Sequence, residues 1–183
     1  KQVASACGRQ MRLLCNGKIP KGKWIVQRYV HDPLLIYGYK FDLRLYVVVT
    51  SYNPLKVYVY EEGLVRFATT PYPRNPKSGK GMKINSVTAH LTNYSINKNN
   101  AEAFVRPEDN GVDEEKGSKW VLSTVKRYFE AKGLDWNGTW SRIEDLIIKT
   151  LLSVEPDVTM QLRTIFGQRP SGVTNCFELY GFD

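Results

Sequence analysis

Residues 41–50, FDLRLYVVVT, form the most strand-like stretch of the chain. Side chains alternate between the two faces of a β-strand, so one face is predicted to be wholly apolar and to consist of Phe41, Leu43, Leu45, Val47 and Val49. The opposite face begins with three charged residues, Lys40, Asp42 and Arg44. A strand this apolar is expected to be central in its sheet, where charges are costly unless they are paired or bound to a ligand. The stretch therefore predicts either a self-satisfied ion network at a sheet end or the polar floor of a cleft for a charged ligand.

Outward from this strand, the first half of the chain is predicted to be rich in β-structure. Alternating and β-branched residues predict further strands over 23–30, 56–60, 64–68 and 176–182. Glu61-Glu62-Gly63 is expected to be the hairpin turn between two of them. Thr70–Ser86 and Asn99–Gly117 are expected to be loops.

The second half of the chain is predicted to be helical. Apolar residues at helical spacing predict a helix over 118–132 that Gly133 ends. Ser141 and Glu144 have the spacing of a capping box, which predicts the start of a second helix. A third helix is expected over 154–166, with Pro156 in its first turn. Strands followed by helices and a final strand predict a mixed α+β fold in one domain.

Composition and charge limit the classes of function. The chain has 183 residues, of which 42% are hydrophobic, which is enough for a core. No apolar run approaches the roughly 18 residues of a membrane span. Three cysteines without a CxxC motif argue against a disulfide framework and a zinc site. Residues 1–40 hold eight Lys or Arg and one Asp, which indicates an anionic partner (nucleotide phosphates, nucleic acid or an acidic protein tail) or a solubilising face.

Two polar segments stand out beyond the central strand. Residues 90–98, HLTNYSINK, are dense in hydroxyl and amide groups, which suit hydrogen bonds to phosphate or carboxylate oxygens. The alternative for this segment is an ordinary turn rich in Asn. The chain ends in ELYGFD, and an Asp at a strand end beside a phosphate site, here Asp183, is a typical position for a magnesium ligand.

Taken together, these blocks resemble the tubulin tyrosine ligase-like family of ATP-grasp ligases. The resemblance covers almost the whole chain, with similar spacing between blocks. Its HLTNYSINK block and the Arg of GLVRFAT resemble the glutamate-adding branch. The matching stretches are WIVQRYVHDPLLI (24–36), KFDLRLYVVVTSYNPL (40–55), EEGLVRFAT (61–69), HLTNYSINK (90–98), GSKW (117–120) and CFELYGFD (176–183).

The resemblance implies an ATP-grasp-like fold, with an antiparallel-rich sheet and helices packed on it, and an ATP-dependent ligase. In that chemistry, ATP phosphorylates the γ-carboxylate of a glutamate in a protein tail, and the amine of free L-glutamate then attacks the acyl phosphate. The implied cofactors are ATP and Mg²⁺. The implied partners are the acidic tails of tubulin and free L-glutamate, with neither nucleic acid nor a membrane. The implied location is the cytoplasm and cytoskeleton, including the cilium, axoneme or basal body.

The resemblance also assigns roles to individual residues. It implies that Lys40, Arg44 and Arg66 are catalytic and that Asp183 is the first magnesium ligand. The residues implied to hold the incoming glutamate are Arg66, Tyr94, Ser95 and Lys119, of which Arg66 and Lys119 neutralise its carboxylates. The residues implied to bind the nucleotide are Lys1, Gly8, Gln27, Arg28, Tyr29, Val30, Lys40, Phe41, Asp42, Thr92 and Asn93.

The sequence departs from the family pattern in two respects. In the phosphate-covering loop, Cys7 replaces an Arg and Gln10 replaces a Gly, although Arg9 offers a charge nearby. Residues 1–183 are expected to be the central and C-terminal part of the catalytic domain, truncated before Lys1 and after Asp183, so that part of the magnesium site is missing. The main alternative is therefore a catalytically impaired, ligase-derived module that binds microtubules or axonemes. A basic nucleic-acid-binding domain is a third alternative, which the core spacing of the aromatic residues disfavours.

Overall fold

The computed structural model describes residues 1–3, 11–14, 18–73, 86–98, 100, 119–167 and 176–183. Its strands and helices confirm the predicted α+β class. In chain order they are β1 (Leu35–Ile36), β2 (Tyr39–Tyr52), β3 (Leu55–Phe67), α1 (Val87–His90), α2 (Tyr94–Asn97), β4 (Lys119–Val121), α3 (Leu122–Ala131), α4 (Trp136–Phe166) and β5 (Glu178–Phe182).

The strands form a sheet in the order β1-β2-β3-β4, and β5 also pairs with β2. β1 and β2 are antiparallel and are joined by a two-residue turn, Tyr37-Gly38, in which both residues have positive φ angles of 51° and 84°. Such turns match the twist of the strands they connect, and Gly adopts this conformation without steric cost. β5 is antiparallel to β2, with Leu45 opposite Phe182 and Val49 opposite Glu178.

The described chain divides into two compact units, and β2 and β3 run through both of them. The first unit comprises Lys1–Asp42 and Val65–Trp120, and the second comprises Leu43–Leu64 and Val121–Asp183. The core of the first unit is aromatic: Phe67 lies 4.8 Å from Trp120 and 5.8 Å from Phe41 between ring centroids. Phe67 and Trp120 are 1% and 3% exposed.

In the second unit, β2 has the predicted alternation. Leu45, Val47 and Val49 are buried, whereas the residues between them are half-buried. The buried residues of the helices of this unit are Leu122, Thr124, Val125 and Phe129 of α3 and Ile147 and Leu151 of α4. The apolar face of β2 is therefore a core face, as predicted.

The predicted strand over 23–30 is wrong. Only Trp24 makes a β-bridge, with Gln2, and residues 25–30 have no regular structure. Ile25, Val26 and Val30 are 55–71% exposed. Alternation of apolar residues predicts a strand only where one face is buried, and this segment buries neither face.

The predicted hairpin at Glu61-Glu62-Gly63 is also wrong, because β3 is one continuous strand and the turn lies at Asn53-Pro54. A Cβ atom on Gly63 would lie 2.6 Å from the backbone oxygen of Arg44. Gly63 is therefore required for the close approach of β3 to β2, not for a turn.

The predicted helix boundaries are wrong in two places. The predicted helix over 118–132 begins only at Leu122, since β4 precedes it. α4 is one helix of 31 residues, with Asp135 as its N-cap and with Ser141, Glu144 and Pro156 in its interior. The Asp135 side chain accepts a hydrogen bond from the Gly138 amide at 2.8 Å. An interior Pro costs about 3 kcal/mol, which the cooperative hydrogen bonding of a long helix offsets.

The loops predicted at 70–86 and 99–117 fall mostly outside the described residues. Within 86–98, the structure adds the short helices α1 and α2, which the sequence did not predict. Among the described residues, no helix is both long enough and apolar enough to cross a membrane.

Candidate functional site

Lys40 is the centre of a polar cluster in the first unit. Its ammonium group donates to the backbone oxygen of His90 at 2.9 Å and to the Tyr29 hydroxyl at 3.3 Å, and it lies 4.7 Å from the centre of the Tyr29 ring. Burial lowers the pKa of Lys40, and the negative charge of Asp42 opposes that shift. The strand β2 therefore presents a partly desolvated cation that is held in place by two acceptors.

Neutral aromatic groups surround this cation. His90 is fully buried, and its Nδ1 atom lies 3.0 Å from the Tyr29 hydroxyl. Burial, followed by the charge of Lys40, lowers the pKa of His90, so the imidazole is neutral at pH 7. Burial and the contact with Tyr72 raise the pKa of Tyr29, so the phenol stays protonated. Lys40 is thus the charged group of this cluster.

Asp42 and Arg66 form a second cluster in the same unit. The Arg66 Nε atom donates to both carboxylate oxygens of Asp42, at 3.2 and 3.1 Å, and Nη2 donates to Oδ2. The two side chains are only 22% and 14% exposed. A bidentate pair of this kind fixes the plane of the guanidinium, so Asp42 determines the orientation of Arg66.

Buried hydrogen bonds fix the polar segment 90–98. The Asn97 side-chain oxygen accepts from the amide of Thr69 at 3.1 Å and from its hydroxyl at 2.7 Å. The Asn97 side-chain nitrogen donates to the backbone oxygens of Leu91 and Asn93. These bonds tie the segment to the residues after β3 and leave Thr92 and Asn93 half-buried.

Tyr94 and Lys119 also lie together in the first unit. The Lys119 ammonium group is 4.2 Å from the centre of the Tyr94 ring, and both side chains are exposed. A cation over a tyrosine ring is attracted by the negative face of the ring. The resemblance assigns both residues to the incoming glutamate, and this contact brings them together.

In the second unit, the two candidate site residues Arg44 and Asp183 form an ion pair. Arg44 Nη2 donates to Asp183 Oδ2 at 2.8 Å, and Nε donates to Oδ1. A Cβ atom on Gly181 would lie 3.3 Å from the Arg44 side chain, so the glycine gives the arginine room to lie across β5. The side chains are 31% and 46% exposed, so this pair is more accessible than Asp42–Arg66.

These pairs bear on the two interpretations of the charged strand face. Asp42 pairs with Arg66 of β3, Arg44 pairs with Asp183, which follows β5, and Lys40 donates to Tyr29 and His90. The charges of the strand face are therefore paired within the protein, as the ion-network interpretation predicts, and the partners come from other segments of the chain. Each charge has a partner within its own unit.

Other predicted site residues lie apart or outside the described residues. Gln27, Arg28, Val30 and Ser95 are exposed, and Phe41 packs on Phe67. Lys1 is exposed, and its backbone pairs with that of Ile25. Gly8, together with Cys7, Arg9 and Gln10 of the predicted phosphate loop, lies outside the described residues.

A magnesium site is not complete in the described part of the chain. That part contains no group of three or more His, Cys, Asp or Glu side chains that could hold a metal ion. Asp183 offers the hard oxygen ligands that magnesium prefers, and each of its oxygens accepts one hydrogen bond from Arg44, which leaves a lone pair on each oxygen. Asp183 therefore fits as one ligand, and the described residues do not by themselves complete the site.

Several residues that build these clusters were assigned no role from the sequence. His90 and Asn97 lie in the predicted polar segment, and Tyr72 lies in a predicted loop. The hydrogen bonds that link His90 to Tyr29 and Tyr29 to Lys40 could not be predicted, because the three residues are far apart in the sequence and meet only in the fold. The one available signal was the position of His90 at the start of a block rich in hydrogen-bonding side chains.

The fold and these clusters define an α+β protein whose ordered cations suit ligands that carry phosphate or carboxylate groups. The model of the tubulin-tyrosine ligase family matches residues 1–183, and the chain belongs to this family. The sheet and helices are consistent with the ATP-grasp-like fold that the resemblance predicted.

Comparison with curated proteins gives similar relatives of the same family. The chain is 44% identical over 185 aligned residues to the tubulin polyglutamylase TTLL5 of Homo sapiens, covering 100% of this chain and 14% of that protein. It is 40% identical over 185 residues to the tubulin monoglutamylase TTLL4 of Mus musculus, with the same coverage. It is 45% identical over 164 residues to the tubulin polyglutamylase ttll6 of Danio rerio, covering 90% of this chain and 20% of that protein. The chain thus spans only a fraction of the length of these relatives.

Proposed function

We propose that this chain is part of an ATP-dependent ligase that joins L-glutamate through an isopeptide bond to glutamate side chains in the C-terminal tails of tubulin. The observation that carries the proposal is the 44% identity, over the whole chain, to a relative named as a tubulin polyglutamylase. The cations Lys40 and Arg66, each held by a hydrogen-bond partner, support it.

The proposed reaction has two steps. The γ-carboxylate of a tail glutamate attacks the γ-phosphorus of ATP, which forms an acyl phosphate and releases ADP. The amine of free L-glutamate then attacks the acyl carbon, the amide bond forms, the amine loses a proton, and phosphate leaves. Neither step needs a serine or cysteine nucleophile, so the required work is positioning and neutralisation of charge.

Lys40 is the residue we assign to the phosphate groups of ATP. An ammonium group has three protons, and the two acceptors found for it among the described residues leave capacity for a phosphate oxygen. Its partial burial strengthens such a contact, because the effective dielectric constant is lower than in water. The neighbouring segment 25–30 exposes Ile25, Val26 and Val30, which are suited to line an adenine ring, and Gln27, Arg28 and Tyr29 belong to the same proposed surface. We assign Lys1, Gly8, Phe41, Asp42, Thr92 and Asn93 to the nucleotide as well.

Arg66 is the residue we assign to a carboxylate of the incoming glutamate. Guanidinium groups bind carboxylates bidentately, and Asp42 already fixes the plane of this one. Lys119, Tyr94 and Ser95 complete the proposed glutamate site, with the Lys119 ammonium group over the Tyr94 ring as a second cation.

Arg44 and Asp183 are assigned to the catalytic centre and to magnesium, respectively. Magnesium would neutralise the phosphate oxygens when bound. Because Arg44 holds the Asp183 carboxylate, and the described residues do not complete a metal site, we assign no step to the ion. Arg44 instead keeps the carboxylate of Asp183 in a fixed orientation.

The proposed partners and location follow from the same activity. Residues 1–40 carry eight Lys or Arg and one Asp, and this charge complements the acidic tails of tubulin. A tubulin-modifying enzyme acts at the cytoskeleton in the cytoplasm, and cilia, axonemes and basal bodies are rich in its substrate. Nucleic acid and membranes are not part of this proposal.

A second candidate function is a ligase-derived module that binds microtubules without catalysis. Cys7 and Gln10 favour it, because the family pattern has Arg and Gly at these positions, and glycine permits a close backbone approach to phosphate that other residues disfavour.

Magnesium-dependent ATP binding by the full-length protein, measured by calorimetry, separates the two functions. The enzyme predicts micromolar-range ATP binding that Lys40→Ala weakens by about tenfold or more, since a hydrogen bond from a charged group is lost. The matched control Lys149→Ala removes an exposed lysine paired with Asp145 and should leave binding unchanged. Failure of the natural sequence to bind ATP, with binding restored by Gln10→Gly, contradicts the enzyme and supports the binding module.

A further inference from the structure

His90 is the best-buried polar side chain near Lys40, and it contacts the lysine in two ways. Its backbone oxygen accepts directly from the Lys40 ammonium group at 2.9 Å. Its Nδ1 atom lies 3.0 Å from the Tyr29 hydroxyl, whose oxygen accepts from the same ammonium group at 3.3 Å. Lys40, Tyr29 and His90 therefore form a closed ring of hydrogen bonds.

The rest of the surroundings hold this ring rigid. The Tyr29 and Tyr72 rings meet the His90 ring edge to face, with centroids 5.7 and 5.1 Å away. The Tyr72 hydroxyl donates to the backbone oxygen of His31 at 2.8 Å, so Tyr72 is fixed from outside the ring. The imidazole is 0% exposed and cannot rotate away without breaking these contacts.

Burial of this imidazole is costly in itself. Among the residues that the structure describes, Nε2 of His90 is buried without a hydrogen-bond partner. An unsatisfied buried polar atom destabilises a fold, so an apolar side chain would fill this place at lower cost. What the imidazole provides that an apolar side chain does not is the contact of Nδ1 with the Tyr29 hydroxyl.

We propose that His90 and Tyr29 are positioning residues that hold the Lys40 ammonium group in place for the phosphate groups of ATP, an inference that rests on the proposed ATP-dependent activity. Lysine is a flexible point charge with many rotamers, and ordering it costs conformational entropy. The Tyr29 hydroxyl and the His90 backbone oxygen confine the ammonium group before ATP arrives. His90 in turn keeps the hydroxyl where it can accept from Lys40.

The test is ATP affinity of the full-length protein with four variants, measured by calorimetry beside the natural protein and Lys40→Ala. Tyr29→Phe removes only the hydroxyl, and His90→Leu replaces the imidazole with an apolar side chain of similar volume that has no hydrogen-bonding atom. We expect each to raise the Kd for ATP by about fivefold to tenfold, the effect of losing one hydrogen bond to a positioned charge. His90→Asn places an amide atom where Nδ1 stood and is expected to restore affinity to within about twofold of the natural protein. Lys149→Ala removes an exposed lysine of α4 outside this cluster and should change the Kd by less than about twofold.

The outcomes separate the inference from the function on which it rests. If the natural protein binds ATP and Lys40→Ala weakens it, but Tyr29→Phe does not, then the positioning role is wrong and the function stands. An unchanged Kd in His90→Leu would show that the ring acts only by filling space, and a loss in His90→Asn as large as that in His90→Leu would show that the contact at Nδ1 is not what matters. Either result overturns the role. If the natural protein does not bind ATP, both proposals fail.

A second readout requires no nucleotide. With ¹⁵N-labelled histidine, the Nδ1 resonance of His90, assigned by its loss in His90→Asn, should shift in Tyr29→Phe and stay in place in Lys149→Ala. An unchanged Nδ1 resonance in Tyr29→Phe would show that the hydrogen bond between His90 and Tyr29 does not exist in solution.

Discussion

The Asp42–Arg66 pair should couple the ends of β2 and β3, and a double-mutant cycle measures that coupling. The variants are Asp42→Asn, Arg66→Gln and the two together, which keep the size of each side chain and remove its charge. Removing one partner of a buried pair leaves the other charge without compensation, which typically costs about 3–5 kcal/mol. Because the two side chains retain 22% and 14% exposure, water partly solvates the remaining charge. We therefore expect each single variant to lose about 3 kcal/mol of local stability and the pair to show about 2 kcal/mol of coupling.

The assay is hydrogen exchange of the β2 and β3 amides in the full-length protein, which reports the local free energy of opening. The cycle on the exposed pair Asp145–Lys149 is the matched control, and its coupling should be below about 0.5 kcal/mol. A coupling for Asp42–Arg66 no larger than that of the control would refute the reasoning, because it would mean that the guanidinium is not held by the carboxylate.

Three further predictions concern stability. Asn97→Ala leaves the Thr69 amide and the Leu91 carbonyl without their buried partner, so thermal unfolding should show a loss of about 2–4 kcal/mol, and a loss below about 1 kcal/mol would contradict the bonding described. Gly63→Ala forces a Cβ atom to within 2.6 Å of the Arg44 carbonyl, so urea unfolding should show a loss of about 1–3 kcal/mol, whereas a neutral change would show that β3 can move away. The pKa of His90 is lowered in the folded state, so the unfolded chain takes up a proton first, and the free energy of unfolding should fall as the pH drops below the ordinary pKa of imidazole. His90→Asn should flatten that part of the plot of stability against pH, and an identical plot for the variant would contradict the pKa shift.

The sequence predicted well what depends on local pattern. The alternation over 41–50 placed Leu45, Val47 and Val49 on the buried face, and the order of strands and helices gave the α+β class, which the structure confirms. The family was predicted from several blocks together, and the match over 1–183 confirms it. The strand pattern, the fold class and the family could be predicted because each depends on neighbouring residues or on many residues at once.

Local patterns failed where a distant contact decided the outcome. Gly63 is of a residue type that is typical of turns, but here its lack of a side chain leaves room for the Arg44 carbonyl of the adjacent strand. Pro156 is typical of the first turn of a helix, but α4 had already begun, with Asp135 as its N-cap. A glycine or proline in the sequence indicates an unusual backbone position, which can be a turn, a helix start or a close contact between strands. Tertiary contacts decide which of these it is.

The pairings in the candidate site could not be predicted for a related reason. Arg66 lies 24 residues from Asp42, and Asp183 lies 139 residues from Arg44. The sequence named all four residues through a resemblance, but it assigned them to different ligands and gave no reason for them to pair. The assignments to nucleotide, glutamate and magnesium remain predictions, and the pairings show which side chains must be perturbed together to test them.

The most direct test of the central claim is transfer of L-glutamate to tubulin by the full-length protein with ATP, followed by mass spectrometry of the tubulin tails. The claim predicts added glutamate residues on tail glutamates, with one ADP formed for each. Arg66→Ala should abolish the transfer while ATP binding persists, and Arg142→Ala, which removes an exposed arginine on α4, should leave the transfer unchanged. ATP binding without any addition of glutamate to the tails, under conditions in which a known polyglutamylase is active, would contradict the claim.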